Sequence, residues 1–291
     1  MDSKEVPIPT LHENPNFRNF IRSLLERADL SEKYIDKLTD EKAMIEFTKA
    51  FTHKSHNPFY NYEFYETLGD ATSNKVVVWY FQRRFPELFD PTSGMKEGNM
   101  GPLAIISRLK QNGVSKKTYA KFSGDLGFWD YIIGSEEAKK SKLKLLEDTF
   151  ESFIGCLEYM IDGQVMEHSG YGICYIFMKK IMDKIEISLG REDLYDHKSL
   201  LNEEIMKFKK MLSIRYESID NASRDPMFLE NKSNIPFRFE SVVVITDDRG
   251  REYRSGKGYG SDKTISQKNA AKILLESKFL DRFPKPKPKV F

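Results

Sequence analysis

The chain has 291 residues, 40 % of them hydrophobic and 31 % charged, with a formal net charge of +2. That composition suits one or two domains with real cores. Two cysteines, Cys156 and Cys174, leave no disulfide framework and no zinc spacing. No apolar run reaches the ~20 residues needed to cross a bilayer.

The first fifteen residues are polar and carry Pro7, Pro9 and Pro15, so they read as a loose lead. They resemble neither a secretory signal nor an Arg-rich transit peptide. An intracellular, reducing compartment, cytoplasm or nucleus, is expected. Helical spacing begins at Phe17, Ile21, Leu24 and Leu25 and resumes through Tyr34–Phe51. The next helix starts with Glu63-Phe-Tyr-Glu66-Thr-Leu-Gly-Asp70. Glu63, Glu66 and Asp70 stack along one stripe of it, within an otherwise apolar segment. Two unit charges at about 4 Å repel by about 4 kcal/mol at an effective dielectric of 20, and a divalent cation held by oxygen ligands would offset that.

Pro86, Pro91 and Gly94 break the chain after this helix. Residues 102–122 and 141–162 read as helices, the second closed by Asp162-Gly163. It carries Leu146-Glu-Asp148-Thr-Phe-Glu151, whose Asp148 and Glu151 share a face. An isolated acidic pair is most often a solvated face. Two pairs in apolar runs are different: packed side by side, the helices bring Glu66, Asp70, Asp148 and Glu151 together. Four carboxylates around one or two Mg²⁺ ions suit phosphodiester hydrolysis. A further helix spans 171–189, and Gly190–Asp193 reads as a linker.

Beyond it the pattern changes. A Ser-capped helix over 198–208 precedes strands at 214–219, 238–246 and 251–256, with Asp247–Gly250 as a hairpin turn. Gly256-Lys-Gly-Tyr-Gly260 reads as a turn offering amides to a phosphate backbone. A last helix spans 261–279. From Arg249 onward twelve basic residues face four acidic ones, the footprint of a phosphate-binding surface. Lys285-Pro-Lys-Pro-Lys289 is a stiff basic tail.

The signature stretch Glu63–Ala71 resembles the ribonuclease III motif E-R-L-E-F-L-G-D-A. Phe51-Thr-His-Lys-Ser55 is similar to that family's T-H-R-S segment, Ser107-Arg-Leu-Lys110 to S-R-L-R, and Leu126–Gly134 to G-L-G-D-Y-L-x-x-G. Tyr80–Pro86 is similar to the end of the signature helix, and Leu146–Gly155 to L-A-D-A-F-E-A-x-I-G. Order and spacing hold over roughly residues 40–165. Downstream, Asp196-His-Lys-Ser-Leu-Leu-Asn202-Glu203 is similar to the D-P-K-T-x-L-Q-E opening of the double-stranded-RNA-binding domain that commonly follows.

The resemblance implies a mainly α chain: an all-helical endonuclease domain followed by a small α-β-β-β-α module. The expected divisions are an N-terminal extension over 1–35, an endonuclease domain over 36–190, an RNA-binding domain over 195–282 and a tail over 283–291. The resemblance makes Glu66, Asp70, Asp148 and Glu151 ligands of Mg²⁺, with Mn²⁺ as substitute, and has Glu63 support them. Glu97 is the nearest match to a further family acid. His53 and His56, in the T-H-K-S region, suit positioning or RNA contact. In the module, Asn202 and Glu203 match minor-groove contacts. Lys263 matches the first lysine of K-K-x-A-K-x-x-A-A, whereas Thr264 and Gln267 replace the other two, leaving Lys268 and Lys272 to compensate.

The implied activity is endonucleolytic cleavage of double-stranded RNA, leaving 5′-phosphates and short 3′ overhangs. A dimer is expected, with homodimer and heterodimer both open, because Thr67 stands where the family has a Phe that enters its partner, and Phe64 stands at the Arg. The alternative is a catalytically silent RNA-binding or scaffold member of a ribonucleoprotein particle.

Overall fold

A computed structural model describes residues 9–90, 102–113, 115–187, 195–208, 211–224 and 237–283. The chain forms two compact units, Met1–Ser188 and Leu189–Phe291.

The first unit is helical. Helix α1 (Pro15–Arg27) opens with Pro15 behind Asn14, whose side chain accepts from the Asn16 amide. The expected single helix over 34–51 is two, α2 (Glu32–Leu38) and α3 (Glu41–Ala50). The Asp40 carboxylate accepts from the Ala43 amide and starts the second one. Helix α4 (Glu63–Arg84) carries the first acidic motif. Helices α5 (Pro102–Gly113) and α6 (Lys116–Leu126) replace the expected helix over 102–122. The break is set by Ser115, whose hydroxyl accepts from the Thr118 amide. A short α7 (Glu136–Lys139) leads into α8 (Lys142–Gln164), and α9 (Gly170–Met182) follows.

Helix α8 runs through Gly163 rather than stopping there, and α9 ends well before residue 189. The expected linker at 190–193, Glu97 and the tail beyond residue 283 lie outside the described residues.

Helix α8 is the centre of the unit. Every residue from Asp148 to Leu157 is buried, as in a helix covered on all sides. Helices α3, α4, α6 and α9 pack against it. Phe150 and Phe153 join an aromatic core with Phe47, Phe122, Phe128 and Phe177. The sequence reading closes an N-terminal extension at residue 35. In the structure that point falls inside α2, and α1 belongs to the same core: Phe17 sits 5.3 Å from Phe51, and Phe20 sits 5.6 Å from Phe128.

Helices α4 and α8 meet at two glycines. A Cβ on Gly69 would lie 1.8 Å from the Glu151 carbonyl oxygen, and one on Gly155 would lie 2.1 Å from the Tyr65 carbonyl oxygen. Any side chain at either position would push the backbones apart.

The described part of the second unit packs two longer helices and one short one with a sheet. Helix α10 (His197–Met206) is capped by Asp196, not by Ser199: its carboxylate accepts from the Lys198 and Ser199 amides. Strand β1 (Leu212–Asp220) leads through a short α11 (Asn221–Arg224) and residues outside the description to β2 (Phe239–Asp247). These two strands are antiparallel over their full length. Strands β3 (Glu252–Arg254) and β4 (Gly258–Gly260) both pair with β2, at opposite ends of it. The Gly256–Gly260 segment therefore ends as a strand rather than an open phosphate-facing turn. It needs glycine because a Cβ on Gly258 would lie 2.1 Å from the Ala270 amide nitrogen of α12 (Lys263–Glu276). Leu201, Ile205, Val243, Ile245, Ala270 and Leu274 form the core.

Gly155→Ala should destabilise the protein by about 3 kcal/mol or more, because overpacking here meets backbone, not a side chain that can move aside. Urea unfolding measures this; a change below about 1 kcal/mol would show that the two helices are not this close.

Candidate active site

The close approach of α4 and α8 sets three carboxylates side by side. Glu66 lies in the first turns of α4, and Asp148 and Glu151 lie one turn apart on α8. One carboxylate oxygen from each lies within 4.8 Å of the other two. Asp148 is 3 % exposed and Glu151 9 %, while Glu66 is half-buried.

Burial and mutual repulsion act in the same direction on these groups. Burial first, then the charges of Asp70, Glu147, Glu66 and Asp148, push the Glu151 carboxyl up to about 8. Burial and Asp148 also raise Glu66 above the usual carboxylate range, with Lys144 opposing. Among the described residues Lys144 is the one ammonium in contact: its Nζ lies 3.1 Å from Asp148 Oδ2. Its hydrogen bond to Asp148 holds it above the ordinary lysine value. The Tyr62 hydroxyl donates to the same Oδ2 at 2.9 Å. Burial and the Asp148 charge raise that phenol, so it stays protonated as a donor.

The other expected acids stand differently. Asp70 is exposed, and its Oδ1 accepts from Asn74 Nδ2 at 2.8 Å, outside the three-carboxylate group although its charge reaches Glu151. Glu63 is exposed and pairs with Lys54 at 2.6 Å. A helical stripe fixes Cβ positions, not the rotamers beyond them, and here Asn74 and Lys54 take two of the acids away from the cluster. His53 lies beside the site, its ring 5.5 Å from that of Tyr62. Burial, then Lys54, lowers its pKa. Tyr62 and Tyr119 were missed by sequence reasoning. Tyr119, 1 % exposed on α6, is raised by burial, and the charges of Glu151 and Asp70 add to this. Nothing in its sequence setting separates it from a core tyrosine.

The donor set fits a hard divalent cation. All three groups offer carboxylate oxygens, two are nearly buried, and one lysine cannot balance them.

In the second unit, Asn202 accepts from the Tyr216 hydroxyl at 3.3 Å, and Glu203 is partly exposed on the same helix. Lys263 is exposed at the start of α12. Lys268 approaches Asp196 at 3.5 Å and Lys272 approaches Glu276 at 3.7 Å. Arg251, Arg254 and Lys257 pair with Asp247, Glu217 and Glu240, so acids upstream of residue 249 offset part of the basic excess read from the sequence. Gln267, at a position where a lysine was sought, is buried and accepts from Lys198 Nζ at 2.7 Å. Lys198 therefore brings a cation to that place from another helix.

Comparison with known proteins bears on this geometry. Residues 63–160, which hold all three clustered acids, match the model of the "Ribonuclease III domain". A protein of Invertebrate iridescent virus 6 named "Putative ribonuclease 3" is 32 % identical over 216 residues, 69 % of this chain and 70 % of that one. One of the same name from Frog virus 3 is 34 % identical over 189 residues, 62 % of this chain but only 46 % of its own length. "Ribonuclease 3" of the bacterium Aliarcobacter butzleri is 27 % identical over 250 residues, 84 % of this chain and 95 % of that one.

The raised Glu151 carboxyl makes stability depend on pH. Its folded value of about 8 exceeds the ~4.3 of an unfolded glutamate, so its contribution is complete below ~4.3 and is lost as pH rises through about 8. With chelator present, the melting temperature should fall between about pH 5 and 9, more steeply than that of Glu151→Gln. Added Mg²⁺ should restore stability at the alkaline end. Parallel melting curves for the two proteins would contradict this.

Proposed function

The chain belongs to the ribonuclease III family and is an endoribonuclease of that type, and from that premise we propose that it cuts double-stranded RNA at the Glu66–Asp148–Glu151 cluster, with Mg²⁺ as the resident ion and Mn²⁺ as substitute. One observation carries the reading: the buried α8 and the half-exposed α4 bring three carboxylates within 4.8 Å, a costly arrangement unless a cation offsets it.

When bound, the ion supplies Lewis acidity, making water a better nucleophile and offsetting charge on the phosphodiester oxygens. The chain's own residues do the rest. Glu66, Asp148 and Glu151 would hold the ion. Glu151 keeps its proton near neutral pH while the site is empty and yields it as a cation arrives, so loading releases a proton. Asp70 would join the set on leaving Asn74, an exposed hydrogen bond worth only about 1 kcal/mol. Glu63 supports from outside, held by Lys54. Family resemblance implies products with 5′-phosphates and short 3′ overhangs.

The second unit is proposed as a double-stranded-RNA-binding module that reads shape rather than sequence. Asn202, Glu203, Lys263, Lys268 and Lys272 are its contact residues, joined by Lys198. A twofold dimer would place one acid cluster against each strand. Thr67 bonds its hydroxyl back to the Glu63 carbonyl and offers no anchor. Phe64 supports a repacked interface: it is 62 % exposed and lies edge-on to the half-exposed Tyr159 at 6.0 Å.

Long RNA duplex should be cut with Mg²⁺ and left intact with chelator. Asp70→Asn and Glu151→Gln should each lower the rate at least ~100-fold while leaving RNA binding near wild type. Cleavage at undiminished rate in both variants would reject the site. Light scattering should give twice the chain mass, and Phe64→Glu should shift it toward the monomer; a wild-type monomer would reject the homodimer and leave the heterodimer.

A further inference from the structure

We propose that Tyr62 is a positioning residue for the cation site, its hydroxyl fixing the rotation of the Asp148 carboxylate between Glu66 and Glu151. This rests on reading the three acids as a cation site.

Two donors meet the Asp148 carboxylate: the Tyr62 hydroxyl donates to Oδ2 at 2.9 Å, and Lys144 Nζ lies 3.1 Å from Oδ2 and donates to Oδ1 at 3.4 Å. They differ in kind. The Lys144 side chain is 58 % exposed on a long flexible stem, and its charge opposes an arriving cation. Tyr62 is 2 % exposed and neutral. It is also fixed at both ends of its backbone. Its amide donates to the Thr52 carbonyl at 3.0 Å, and its own carbonyl accepts from the Glu66 amide at 2.8 Å. The residue that orients one ligand thus sits at the entry to α4, one turn before another ligand. Thr52 is held in turn, by a bridge to Ile133, and the His53 ring lies edge-on to Tyr62. The T-H-K-S segment serves here as the platform for this phenol.

A neutral donor on Oδ2 leaves Oδ1 with only the long 3.4 Å bond from the exposed Lys144 Nζ and adds no repulsion toward a cation. Partners of this kind typically govern metal affinity by ~10–100-fold. Tyr62→Phe removes one oxygen and keeps the ring in place.

The test is calorimetric titration of Mn²⁺ into wild type, Tyr62→Phe and Glu151→Gln without RNA, together with the Mg²⁺ dependence of cleavage. Tyr62→Phe should bind about tenfold more weakly and need about tenfold more Mg²⁺ for half-maximal cleavage, and saturating Mg²⁺ should restore its rate to within about threefold of wild type. A residue with only a structural role would lower the melting temperature and leave Mn²⁺ affinity unchanged. Wild-type affinity in Tyr62→Phe, with binding lost in Glu151→Gln, overturns the role of Tyr62 alone. Wild-type affinity in Glu151→Gln overturns the cation site itself. The unaltered chain provides a second measurement should Tyr62→Phe not fold. The ¹³Cζ resonance of Tyr62 should move on Mg²⁺ addition and reach a plateau as the site saturates, and a resonance that stays still overturns the proposal.

Discussion

Contact between two helix backbones governs the first unit. Gly69 and Gly155 let α4 and α8 touch without intervening side chains. That contact, more than the acids themselves, makes a site. Carboxylates on helices spaced by ordinary side chains, with axes 8–10 Å apart or more, would reach one another only at the ends of extended rotamers. Here a glutamate from one helix meets an aspartate and a glutamate from the other near their shared seam. The buried Ser73 hydroxyl settles onto the Gly69 carbonyl and adds little bulk there, while that of Ser152 bonds the Ala50 carbonyl of α3.

Electrostatics runs against packing at the same place. Hydrophobic burial of α8 carries Asp148 and Glu151 inward with Phe150, Phe153 and Ile154. Charges taken from water without a partner cost several kcal/mol each. The raised Glu151 carboxyl is the visible sign of that cost. A phenol and one ammonium, both on Asp148, answer only part of it. The remainder is a standing preference for positive charge, which a hard divalent ion would satisfy.

Much of this was legible in the sequence, for reasons that can be named. Long helices with apolar spacing declare themselves, and the two acidic motifs lie inside such runs. The seam at Gly69 and Gly155 was not legible, because a close backbone approach depends on which helices pair. What periodicity could not show was rotamer and partner. Asp70 lies on the stripe but bonds to Asn74, and Glu63 bonds to Lys54. Helix ends shifted where a cap outranked composition, as at Asp40 and Ser115, or where tertiary burial carried α8 past Gly163. Residues 15–27 looked peripheral because their partners, Phe51 and Phe128, are distant in sequence. In the second unit a glycine-rich segment read as a loop; its lack of side chains instead lets a strand lie directly under a helix.

The central claim is that Glu66, Asp148 and Glu151 together hold a divalent cation. Anomalous diffraction from crystals soaked in Mn²⁺ tests it most directly. The account predicts a strong anomalous peak among the three carboxylates, within about 2.0–2.4 Å of an oxygen from each, a range spanning the Mg²⁺ and Ca²⁺ distances. A peak elsewhere on the chain, or none at this cluster with Mn²⁺ in excess, would contradict it.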